Sequence, residues 1–264
     1  LVLADYLTRQ GIAVLRYDDR GFGESEGIYA TANIDDFASD AQAAIEYLKS
    51  RKEINKKRIG VIGHSEGGAV ALTLAAKRVP SFIVSLAGLG IQGRELMNLQ
   101  RAAILKANGA PDDFIAKYNE VLDKISELAI TLDDKEELQN KAVELTAGTP
   151  LAGQEAQLIA QLSTPEMISF LQFDPNNYFP SIKCPVLALN GDKDVQVIAK
   201  ENIEAIANGL KAAGNKRVET KIYPGLNHLF QTAQTGLPVE YGQIEETIAP
   251  EVLEDIAKWI KNLF

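Results

Sequence analysis

The sequence predicts an α/β fold: a mostly parallel sheet flanked by helices, broken once by an all-helical insertion. Three observations predict it. Apolar runs of strand length alternate with segments whose apolar residues recur at helical spacing, which is the pattern of βαβ units. One strand-to-helix junction reads Gly63-His64-Ser65-Glu66-Gly67-Gly68, a serine with glycines two before and two after it. Between about residue 91 and residue 185 the strand signals vanish and only helical periodicity remains.

Residues 1–10 carry Leu3, Tyr6 and Leu7 at helical spacing, and Gly11 stands where a glycine C-cap belongs. Ile12 to Tyr17 then reads as a strand with an apolar body, followed by the glycine- and charge-rich loop Asp18 to Gly27. Ile34, Phe37, Ala41, Ala44, Ile45 and Leu48 lie on one face of a helix of about four turns. Arg58 to Ile62 is a short buried strand, and Ala69 to Arg78 a helix that Pro80 stops. Phe82 to Leu86 is the next apolar strand. In the insertion, Phe114, Tyr118, Val121, Leu122, Ile125 and Leu128 share a helical face, and Leu158, Ile159 and Leu162 begin another. The sheet pattern resumes with strands at Pro185 to Leu189 and Val218 to Tyr223, with a helix through about Ala213 between them. A last helix starts near Pro250 and buries Val252, Leu253, Ile256 and Ile260.

Composition narrows the function. At 264 residues and 46% hydrophobic, the chain holds one α/β domain with an insertion. No uncharged apolar run approaches the roughly 18 residues of a membrane span. A net charge of −9 argues against nucleic acid and anionic membrane surfaces as partners, and residues 91–178 carry −7 of it, read as a solvated outer face in preference to a cation-attracting one. The single cysteine, Cys184, allows no internal disulfide and reads as a structural thiol at a strand start. The chain starts with Leu rather than Met, so no targeting signal is legible; compartment and oligomeric state stay open.

The junction at Ser65 is a nucleophile elbow in its expected context, strand before and helix after. Such a turn strains the serine backbone and lifts its hydroxyl clear of the sheet. A side chain at either flanking glycine is expected to clash with a neighbouring element. The helix N-terminus offers N–H groups to a developing oxyanion. A serine hydroxyl needs an imidazole to take its proton, and the imidazole a carboxylate to orient it. Only His64 and His228 are available. His64, adjacent to the serine across a sharp turn, is expected to point away and to pack or hydrogen-bond locally, which leaves His228 as the base. Asp192 and Asp194 compete for the acid. Asp194 is favoured as the crest of Gly191-Asp192-Lys193-Asp194, with Asp192 shaping the turn through its own backbone. The order serine, aspartate, histidine, each past a strand's C-terminal end, suits an open parallel sheet.

With Asp19-Arg20-Gly21-Phe22-Gly23-Glu24-Ser25 and Asn227-His228 added to those motifs, the sequence resembles the serine hydrolases of the α/β-hydrolase superfamily. It is most similar to the bacterial esterase and serine-aminopeptidase-like branch with a helical cap. The resemblance implies an α/β-hydrolase core at 1–90 and 179–264, and a helical cap at 91–178. It implies Ser65 as nucleophile, Asp194 as acid, His228 as base and the Glu66 backbone N–H as an oxyanion donor; it assigns the Glu66 side chain no role, with a supporting hydrogen bond and simple exposure both open. The first strands of that fold, and the loop giving the second oxyanion donor, are not found in the sequence, which is therefore expected to be N-terminally incomplete. The implied activity is hydrolysis of a small-molecule carboxylic ester or acyl substrate through an acyl-enzyme, without metal or organic cofactor. Thioester or aminopeptide hydrolysis, and a non-catalytic binding role, are the alternatives. Apolar helical faces in the cap suggest hydrophobic acyl groups.

Overall fold

The structure, a computed structural model, describes residues 1–264. Its centre is a four-stranded parallel sheet in the order β1 (Val61–His64), β2 (Ile83–Leu86), β3 (Val186–Gly191) and β4 (Val218–Tyr223). Val61 stands opposite Ile83, Ile83 opposite Val186, and Val186 opposite Val218, so the C-terminal strand ends share one rim. Side chains alternate across the sheet and build two cores. Ile83, Val186 and Ala188 face α2 (Ile34–Ser50), α3 (Glu66–Ala76) and α9 (Ala199–Ala212). Val84, Leu86, Leu187 and Leu189 face α1 (Val2–Arg9) and α10 (Pro250–Asn262). A sheet covered on both faces explains why its central strands read as unbroken apolar runs.

Local chemistry sets the helix limits. Asn33 caps α2 in a reciprocal box, its side chain accepting from Asp36 N–H while the Asp36 carboxylate accepts from Asn33 N–H. Pro250 opens α10 at a position that needs no N–H, and Val252, Leu253, Ile256, Trp259 and Ile260 bury its apolar face. At about 1.5–3 kcal/mol for each large side chain, that face is a major tie of the C-terminus to the sheet.

The expected strand Ile12 to Tyr17 is not part of the sheet. These residues form no ladder, and Val14, Leu15 and Tyr17 are 39%, 37% and 48% exposed. Strand propensity becomes a strand only with a paired neighbour, and β1 pairs on one side alone, with β2. Across from the free edge of β1 a cavity of about 800 Å³ separates Val14 and Leu15 from Ile59, Ile62 and His64.

Between β2 and β3 the chain runs through five α-helices, α4 (Gly93–Ala107), α5 (Asp112–Thr131), α6 (Lys135–Thr146), α7 (Glu155–Leu162) and α8 (Pro165–Gln172). They build a core of their own around Val121, Leu122, Ile125, Leu138, Leu162 and Leu171. Most of their apolar residues pack on each other, while Leu96 and Leu99 of α4 and Phe170 of α8 pack on the core of the sheet domain, so those faces carry no argument for a hydrophobic acyl group. Two polar contacts join α8 to the sheet domain: the Tyr29 hydroxyl donates to Glu166 Oε1 at 3.0 Å, and Ile34 N–H donates to Ser169 Oγ at 3.1 Å.

Candidate active site

Ser65 joins β1 to α3 with φ 56° and ψ −120°, a backbone region that a non-glycine residue enters at a cost of about 1–3 kcal/mol. Neighbouring glycines permit it. A Cβ on Gly63 would stand 1.9 Å from the Gly67 carbonyl oxygen, and one on Gly68 would stand 2.7 Å from Gly88 Cα. Gly67, by contrast, has open space where a Cβ would go. The expectation that both glycines flanking the serine are sterically required therefore holds for Gly63 and passes from Gly67 to Gly68, which faces the neighbouring chain. The Ser65 N–H bonds the Leu86 carbonyl at 2.9 Å, and the Gly68 N–H bonds the Ser65 carbonyl at 2.8 Å. The N–H groups of Glu66 and Gly67, at the N-terminus of α3, are left without an acceptor.

At the same rim, the loop after β3 supplies Asp194 and the loop after β4 supplies His228. His228 Nδ1–H donates to Asp194 Oδ2 at 2.8 Å, with both side chains buried. The other carboxylate oxygen, Oδ1, accepts from the backbone N–H groups of Gln196 and Val197 at 2.8 Å each. Asp194 is thus fixed from both ends. Asp192 is placed differently from expectation: its Oδ1 accepts from Gly225 N–H at 2.6 Å, tying the aspartate loop to the histidine loop. The local backbone bonds expected of Asp192 are made by Asp194 instead. The histidine loop is held by Asn227, whose Oδ1 accepts from Leu229 N–H and Gln231 N–H at 2.9 and 3.0 Å.

His64 does not bond within its own turn. Its Nε2 lies 2.8 Å from the backbone carbonyl of His228, and the two rings are 4.6 Å apart. One side of the ring lines the cavity beside β1 while the Nε2 edge packs against the histidine loop. Burial of that edge, and then the nearness of His228, hold the His64 imidazole below its ordinary range. The structure therefore joins Asp194 to His228, and His64 to His228. No hydrogen bond joins the Ser65 hydroxyl to either imidazole.

The Glu66 side chain, given no role in the sequence, lies in an acidic setting. Its Oε1 is buried without a hydrogen-bond partner. Burial first, then the charges of Glu166 and Asp19, push its carboxyl up to about 7. Burial and the Glu166 carboxylate also raise the Tyr29 hydroxyl above its ordinary range. This grouping of Asp19, Tyr29, Glu66 and Glu166 spans segments more than a hundred residues apart, and no local pattern announces it.

Comparison with known proteins adds the ancestry. A family model described as serine aminopeptidase, S33 matches residues 2–232. Esterase EstD of Thermotoga maritima is 26% identical over 261 residues, covering 96% of this chain and 54% of that protein. The chain thus spans about half the length of that relative. Among solved structures, an esterase of Pyrococcus furiosus superposes with a TM-score of 0.56 at 18% identity, over 98% of this chain and 72% of its own. A monoacylglycerol lipase of Paleococcus ferrophilus gives 0.55 at 16% identity, over 98% of this chain and 87% of its own. At such identities the two structures speak for the α/β-hydrolase fold alone.

Proposed function

The chain belongs to the serine aminopeptidase S33 family of α/β-hydrolases, and from that premise we propose that it cleaves carboxylic esters through a serine acyl-enzyme. The observation that carries this reading is the backbone of Ser65, strained at φ 56° at the mouth of α3 beside two N–H groups that have no acceptor. Positive φ also occurs at Arg78, Ala87 and Phe230; at Ser65 it is joined to a hydroxyl and to two free N–H groups at a helix N-terminus, the combination a nucleophile uses.

In the proposed reaction, His228 Nε2 takes the Ser65 proton as Oγ attacks the ester carbonyl carbon. Asp194 keeps the proton on Nδ1 and stabilises the imidazolium that forms. The Glu66 N–H donates to the oxyanion, aided by the positive end of α3. The tetrahedral adduct collapses, and the C–O bond to the leaving alcohol breaks as His228 returns the proton to that oxygen. Water, deprotonated by the same imidazole, then releases the acid and restores Ser65. Hydrogen bonds between nucleophile and base often form fully only when substrate is present. Helices α4–α8, residues 91–178 in our reading, act as a cap above this rim. No metal or organic cofactor takes part in any step of this mechanism.

A second reading, hydrolysis of substrates with a free ammonium group, is favoured by one observation. Glu66 faces the charges of Glu166 and Asp19 while no basic side chain offsets them. A fluorophosphonate probe and a panel of nitrophenyl esters, acyl thioesters and aminoacyl anilides separate the readings. We expect labelling that is lost in Ser65→Ala, with ester turnover above anilide turnover. Anilide turnover above ester turnover reverses the ranking. Labelling that persists in Ser65→Ala, or its absence in the wild type, leaves the binding role as the better account.

A further inference from the structure

The strand that carries the nucleophile and the loop that carries the base meet through one hydrogen bond. Between residues 60–68 and the segment 224–233 the His64 Nε2 to His228 carbonyl bond at 2.8 Å is the one hydrogen bond that crosses, beside the His64 ring packing 4.6 Å from that of His228 and 6.4 Å from that of Phe230. The other hydrogen bonds of that loop lead elsewhere, those of Gln231 to Tyr241, Thr232 to Glu246 and Lys193 Nζ to the Ala233 carbonyl among them. Lys193 N–H donates to the Leu226 carbonyl at 3.0 Å, Gly225 N–H to Asp192, Ala249 N–H to the Phe230 carbonyl at 2.8 Å, and the His228 ring to Asp194. These place the loop relative to β3 and α10. None of them sets its distance from β1.

A carbonyl oxygen only accepts, so His64 donates and its neutral ring carries the proton on Nε2. The tautomer thereby follows from the partner. The bond is made to the main chain of the very residue whose side chain serves as base, by the residue directly before the nucleophile. We propose that His64 is a positioning residue: by donating Nε2–H to the His228 backbone carbonyl it sets the reach from the His228 imidazole to the Ser65 hydroxyl. This rests on the reading of Ser65 and His228 as nucleophile and base. Displacements of about 1 Å in such a pair cost roughly 10²-fold in rate.

Two substitutions in the full chain separate donor from bulk. Gln at position 64 keeps an N–H at the distance of Nε2, whereas Phe keeps the ring and removes the donor. We expect His64→Phe to lower kcat and the rate of fluorophosphonate labelling by about 10–100-fold with KM moved less than about threefold, and His64→Gln to stay within about threefold of wild type. Rates are compared only between variants melting within a few degrees of wild type, with His64→Leu replacing His64→Phe if the latter does not fold. Equal rates for the Gln and Phe (or Leu) variants, whether high or low, overturn the proposal. So does failure of both donorless variants to fold, because His64 is then needed for the fold rather than for the reach. Failure here stays distinct from failure of the catalytic reading, which is read by Ser65→Ala.

Discussion

Replacing Glu66 by Gln tests how the ground beside Ser65 is charged. The carboxyl is held protonated in the folded chain up to about pH 7, above its ordinary 4.5, by burial and by the charges of Glu166 and Asp19. Between those two values the folded state holds a proton that the unfolded chain has released, so stability falls as pH rises. That displacement corresponds to about 3 kcal/mol at ~1.4 kcal/mol per pH unit. Two effects reduce it. The N-terminus of α3 favours the ionised form by about 0.3–1 kcal/mol, and solvent at the partly open side screens the rest, which leaves about 1–2 kcal/mol. Glutamine keeps the shape and cannot ionise. Urea denaturation of both proteins at pH 4.5 and pH 8.5 should therefore give nearly equal stabilities at the acid end. At the alkaline end the variant should be more stable by about 1–2 kcal/mol, or about 2–6 °C in melting temperature for a chain of this size. Titrating groups not coupled to Glu66 are common to the two proteins and cancel in the difference, whereas Glu166, Asp19 and Tyr29 respond to the loss of its charge. A difference that does not change with pH, or one that favours the wild type at pH 8.5, refutes the account of Glu66.

Two further outcomes follow from the site. Gly63→Ala should destabilise the chain by about 3 kcal/mol or more and abolish hydrolysis, because its Cβ would sit 1.9 Å from the Gly67 carbonyl, whereas Gly67→Ala should match or exceed wild-type stability by up to about 1 kcal/mol, read by denaturant midpoints. Asp194→Asn should lower kcat by about 10³–10⁴-fold with the melting temperature little changed: the N–H groups of Gln196 and Val197 hold the amide oxygen, so the NH₂ faces His228 Nδ1 and forces the proton onto the nitrogen that must accept it. Equal tolerance at the two glycines, or a mild loss at Asp194, counts against the respective argument.

What could be read from the sequence depends on how far apart the partners lie. The strand at Val218–Tyr223 and the helix opening at Pro250 sit where the pattern put them, because alternation and a proline at N1 are local signals. The segment Ile12 to Tyr17 carries the same kind of signal and forms no strand, since pairing is a property of the neighbour and β1 pairs only with β2. The helical run between β2 and β3 was legible as helices; that most of its apolar residues close on one another required the packing. At Gly67 and Gly68 the spacing of the motif pointed to the first glycine, while the chain that crowds the turn, at Gly88, approaches the second.

The site divides along the same line. A strained serine, an aspartate at a loop crest and a histidine after a strand can each be chosen from neighbouring residues. Which part of each side chain is engaged cannot. Asp194 meets both its own loop and His228, so it does the work that local reasoning assigned to Asp192, and Asp192 reaches Gly225 across the rim. His64 follows the same rule. Its adjacency to Ser65 argues that it cannot be the base, and that much is geometry of one turn. Its bond to the carbonyl of residue 228 depends on two strand ends brought to one edge by the whole sheet. Residues beside a nucleophile are thus free to take up long-range positioning because the turn denies them the chemistry, and here the denied histidine is the one that holds the loop of the other.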